Sequence, residues 1–128
     1  MPFPASRAHG LETDLVVSGE PPPAVSTLTH TVYAVVREAL ANVARHAQAR
    51  MVLVSLRYAP GHLDVVVQDD GVGAPDMVLQ SYRESHLHFG LRHMREQIVG
   101  LGGDFDVTNG EESGLVVRLG VPLGDRPG

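Results

Sequence analysis

Residues 31–50, TVYAVVREALANVARHAQAR, constrain this chain more than any other stretch, because they are long, helical in pattern and polar at places where a core helix needs no polarity. Apolar residues at Leu28, Val32, Val35, Val36, Ala39, Leu40 and Val43 recur at threes and fours, the period of a helix that buries one face. Glu38, Asn42 and then Arg45 or His46 stand three or four apart beside that stripe, so their side chains share nearly one face. Such a face offers an acid, an amide and a base from one rigid element, which suits a small polyanionic ligand. It equally suits a solvated helix surface, and the helix alone does not choose. The helix is expected to start near Ala24 and to end near Gln48.

The other elements follow from shorter patterns. Residues 1–10 carry two prolines and no period and read as a flexible lead-in, with the domain running from 11 to 123 and a frayed tail at 124–128. Residues 11–17 alternate weakly and read as an edge strand before a proline turn. Residues 51–58 and 63–68 are rich in β-branched residues and flank Ala59-Pro60-Gly61, which predicts a hairpin. The second of these strands runs into Asp69-Asp70-Gly71-Val72-Gly73, where glycines allow close approach of a ligand. Residues 74–87 read as a closing lid whose one Lys or Arg is Arg83. His88-Phe89-Gly90 opens a second amphipathic helix over 91–101, stopped by Gly102-Gly103, and strands at 105–108 and 115–121 complete the chain. Helices at two places among largely antiparallel runs predict an α+β fold, a two-layer sandwich with one mixed sheet covered on one face.

Composition narrows the function classes. At 128 residues and 43% hydrophobic, one domain with one core is expected. A formal net charge of −5 argues against nucleic acid as the main partner, because that binding needs a clustered basic surface. The absence of cysteine removes disulfides, thiolate metal sites and thiol catalysis together. No apolar run approaches the roughly 20 residues of a membrane span, and the start lacks a signal-peptide core, so a cytoplasmic segment making no membrane contact is expected. His30, His62 and His93 read as surface or partly packed residues. His86 and His88 lack an acid at metal-ligand spacing.

Three separated segments share one chemistry. An amide oxygen such as that of Asn42 is a good neutral ligand for Mg²⁺, which is commonly held together with substrate phosphates. A strand-end carboxylate such as Asp69 can accept a hydrogen bond from an exocyclic amine, adenine's for example, while Gly71 and Gly73 let a flat base approach. Gly90 opens a helix whose free N–H groups suit an anion.

The runs Arg37-Glu38-Ala39-Leu40-Ala41-Asn42-Val43-Ala44-Arg45-His46-Ala47, Asp69-Asp70-Gly71-Val72-Gly73 and His88-Phe89-Gly90-Leu91-Arg92-His93-Met94 closely resemble the N, G1 and G2 boxes of the ATP-binding catalytic domain of sensor histidine kinases, in the form of the nitrate-sensor and DesK-like subfamily. The resemblance implies the Bergerat fold shared with gyrase, Hsp90 and MutL, with ATP and Mg²⁺ as ligands. It implies Asn42 on the metal, Asp69 on the adenine amine, Gly71 and Gly73 around the base, and Gly90 and Leu91 by the phosphates; Arg45, His46, His88 and Phe89 complete the expected ATP-binding set, with His46 equally suited to capping the helix end. Glu38 falls where the family's ATPases polarise the nucleophile. Two departures stand out: His88 replaces the usual first glycine of the G2 box, and Gly114-Leu115 replaces a usual Gly-Thr, which removes a hydroxyl.

The function so implied is donation of the γ-phosphoryl group of ATP to a histidine on a separate dimerisation domain, with a response regulator engaged indirectly. The chain would then be a monomeric domain cut from a longer kinase, whose parent can be membrane-bound. The rivals are a serine kinase of the anti-sigma type with the same fold, and a degenerate interaction domain that has lost nucleotide.

Overall fold

In the computed structural model, residues 11–21, 27–44, 48–73 and 89–123 are described. The lead-in, the lid, Arg45, His46, Arg83, His86, His88 and the tail lie outside them, as does the expected helix start at Ala24. The order of elements is β1 (Glu12–Ser18), α1 (Thr27–Asn42), β2 (Met51–Ala59), β3 (His62–Asp69), α2 (Phe89–Gly100), β4 (Asp104–Asn109) and β5 (Leu115–Pro122).

The hairpin predicted for the middle of the chain forms with Ala59 opposite His62, so Pro60-Gly61 is its whole turn. In β3 the side chains alternate cleanly: Leu63, Val65, Val67 and Asp69 are buried while their neighbours are not. Such alternation marks a sheet with one covered face. The sheet order is β1-β2-β3-β5-β4. β1 pairs parallel to β2, from Glu12 beside Met51 to Ser18 beside Arg57, and every other pairing is antiparallel. The sheet is therefore mixed, with a single parallel step that needs α1 as its crossover.

Both helices lie on one face. The stripe read from the sequence is the buried one: Val32, Val35, Val36, Ala39, Leu40 and Val43 of the first helical stretch are each under 8% exposed. They meet Val52, Val54, Val65 and Val67 of the sheet and Met94 and Ile98 of α2 in one core. α2 ends as its sequence predicts. Gly103 N–H bonds the Ile98 carbonyl at 3.0 Å and Gly102 N–H bonds that of Val99 at 2.9 Å. This is the Schellman pattern, and Gly102 supplies the left-handed φ of 83° that it requires.

The α-helix runs to Asn42, and Val43 and Ala44 continue it as a wider turn. The residues between there and Gln48 lie outside the described ones, and Gln48, at the expected helix end, has the left-handed φ of 54° that commonly follows a helix.

Candidate nucleotide site

The site is assembled from three element ends. β3 delivers Asp69, its last residue, into the covered layer, where it is 4% exposed and the one buried polar or charged residue among those described. A buried carboxylate needs hydrogen-bond donors, and here the backbone supplies them. Gly71 N–H donates to Oδ1 at 2.7 Å, and the Leu115 N–H also donates to the carboxylate. Burial pushes the Asp69 carboxyl above its ordinary value of 3.8, and these two N–H groups only partly oppose that rise. The hydroxyl missing at residue 115 is thus accompanied by a main-chain donor from the same residue.

Asp70, which carried no expectation, has a different task. Its Oδ1 accepts from Arg50 N–H at 2.9 Å and Met51 N–H at 3.0 Å, tying the turn after β3 to the first residue of β2. Those two donors lower its pKa. The turn between β4 and β5 locks the same region from the other side. Gly114 sits at a φ of 79°, and a side-chain carbon there would overlap the Asp69 carbonyl oxygen. Gly73 also packs on the Asn109 side chain. In the sequence only the glycine at 114 carries a trace of this packing.

The third end is the start of α2. A side-chain carbon placed on Gly90 would lie 3.8 Å from Asn42 Nδ2 and 3.9 Å from Glu38 Oε2. The polar stripe of α1 therefore faces the first turn of α2, where unsatisfied N–H groups gather. Glu38 is exposed and Asn42 half-buried. Leu91, next in that turn, is partly buried against the core. The structure thus brings Glu38, Asn42, Gly90 and Leu91 together and sets Asp69, Gly71 and Gly73 at the end of β3. Arg45, His46 and His88 fall outside the described residues, and of Phe89 the structure gives only its place as the first residue of α2.

Residues 28–125 match the family model for histidine kinase-, DNA gyrase B-, and HSP90-like ATPases. The chain belongs to that family. Members of this ATPase family bind ATP, and the α+β fold agrees with it. The chain is similar to a NarQ-homologue sensor protein of Haemophilus influenzae, at 33% identity over 92 residues that cover 71% of this chain and 15% of the relative. It is also similar to the sensor histidine kinase LnrJ of Bacillus subtilis, at 29% identity over 117 residues, 91% of this chain and 27% of the relative. The chain thus spans well under a third of the length of either. Among solved structures, the ATP-binding domain of PrrB from Mycobacterium tuberculosis superposes with a TM-score of 0.70, covering 91% of this chain and 82% of that one; its 23% identity speaks for the fold alone. The serine-kinase and degenerate readings are not favoured by these likenesses. Among the described residues of this ATPase domain no helix is long and apolar enough to cross a membrane.

Proposed function

We propose that this chain is the catalytic, Mg·ATP-binding domain of a sensor histidine kinase, which presents the γ-phosphoryl group to a histidine on a separate dimerisation domain. The observation that carries this reading is the approach of Gly90 to Glu38 and Asn42, which puts a helix N-terminus, an amide and a carboxylate around one opening. Asp69 lies apart from these groups in sequence and is the natural partner for a base. Its carboxylate accepts from the adenine amine, and the glycines that follow it let the ring lie close.

Each residue then has a limited task. The Asn42 side-chain oxygen suits Mg²⁺, a hard cation that takes one or two protein oxygens and completes its shell with phosphates and water. Bound there, the ion would neutralise phosphate charge. Gly90 and Leu91 offer main-chain N–H groups to the phosphates. Arg45, His46, His88 and Phe89 keep the ATP-binding roles that the sequence likeness implies. Glu38 lies beside Asn42, where a carboxylate can accept a proton from the incoming nucleophile. In the transfer itself a histidine ring nitrogen forms a bond to the γ-phosphorus as the bond to the bridging oxygen breaks and ADP leaves. Positioning and charge neutralisation supply most of the acceleration in such reactions. The acceptor histidine belongs to the dimerisation domain, and a response regulator takes the phosphoryl group from it.

Calorimetric titration with a non-hydrolysable ATP analogue, with and without Mg²⁺, tests the reading. The wild type should bind in a Mg²⁺-dependent manner, and Asn42→Ala should lose that dependence while its Tm stays unchanged. Equal Mg²⁺-dependent binding by both proteins would remove Asn42 from the site.

A further inference from the structure

The sheet face turned away from the helices is not built as a plain solvated surface. Strand register puts Val16, Met51, Leu53, Val66 and Val116 on that face. Val16 is 51%, Met51 47% and Leu53 39% exposed. Among the described residues no helix or strand covers them. A groove of about 560 Å³ crosses this face with Met51, Leu53 and Val116 in its lining, and the β4–β5 turn, through Gly110 and Ser113, walls one side. Its charges are lopsided: Asp14, Asp69, Asp70, Glu111 and Glu112 line it against a single cation, Arg118, and Asp69 is shared with the candidate nucleotide site.

We propose that this groove is a docking site for a cationic amphipathic helix of a partner protein. The floor is the face of a sheet whose β2, β3 and β5 backbones already bond one another, so an occupant must engage it through side chains rather than by adding a strand. A helix with one apolar stripe does this, placing the stripe over Met51 and Leu53 and its flanking Lys or Arg residues beside Asp14, Asp70, Glu111 and Glu112. Charge complementarity selects among occupants. A second copy would bring its own formal charge of −5 to an acidic rim. An anionic membrane or a nucleic acid would be repelled for the same reason. Scattered apolar residues are common on surfaces, but exposed apolar residues in a groove whose charges are mainly of one sign are the pattern of an interaction site. The proposal does not rest on the nucleotide reading.

The test is an NMR titration of the ¹⁵N-labelled chain with a synthetic 18-residue leucine–lysine peptide of amphipathic pattern. The control peptide has the same composition, rearranged so that its leucines share no face. The amphipathic peptide should shift amides around residues 14–16, 51–53, 66–68 and 110–118 saturably, and bind at least tenfold tighter than the control. Leu53→Gln, at an exposed position, should reduce that binding about tenfold without lowering Tm. No saturable shift, equal binding of the two peptides, or shifts centred on α2 would each overturn the proposal.

Discussion

Asp69 shows how one buried residue trades stability against binding. Because burial raises its folded pKa above 3.8, the folded chain holds a proton there that the unfolded chain has released. Stability from this group is therefore complete below the ordinary carboxylate value and declines as pH rises through the raised one. With the adenine contact proposed above, nucleotide binding runs the other way, since the ionised carboxylate is the better acceptor for an adenine amine. ATP affinity should thus fall on acidification beginning above the ordinary carboxylate range, and Asp69→Asn should flatten that part of the profile. At neutral pH the same variant should unfold at no lower temperature than the wild type. It should lose about 1–3 kcal/mol of ATP affinity and less for GTP, whose ring presents a carbonyl at that place. Calorimetry at several pH values checks all three outcomes, and a large drop in Tm would make Asp69 a structural residue instead. Gly114 makes a simpler case: Gly114→Ala combines a left-handed φ with overlap on the Asp69 carbonyl. It should cost about 2 kcal/mol or more, seen as a lower urea midpoint.

At the level of elements, legibility followed locality. The buried face of α1 was readable residue by residue because its period is set within one helix, and the end of α2 was readable because Gly102-Gly103 is a local device. The β2–β3 hairpin was readable for the same reason. The role of the β4–β5 turn was not, because its packing on Asp69 joins residues far apart in sequence; composition carries no sign of such contacts. The sequence groups Glu38, Asn42 and Gly90, and the structure sets Gly90 near the other two, whereas the packing of Asn109 on Gly73 and the Leu115 N–H on Asp69 has no local sign. The packing between α2 and the sheet makes its own prediction. Ile98 is fully buried among core residues of the sheet and helices. Ile98→Ala should cost about 2–5 kcal/mol in denaturant unfolding, the range of a large-to-small change in a tight core. A loss under about 1 kcal/mol would mean that α2 rests loosely on the sheet.

For the whole molecule, the expectation of one mixed sheet under helices held, but the pairing of β1 was beyond what the sequence could say. Nothing in its residues distinguishes a parallel neighbour from an antiparallel one. That pairing bears on the order in which the chain folds. The β2–β3 hairpin closes over a two-residue turn, so its ordering is entropically cheap, while β1 can join β2 only after the chain has looped through all of α1. β1 is also an edge, and Leu15, Val16 and Val17 are each at least 36% exposed. It gains little from burial and closes a long loop, so it should dock late in folding and open first in the native state. Native-state hydrogen exchange should find its amides at least tenfold less protected than those of β3, and equal protection would mean that the sheet opens as a single cooperative unit.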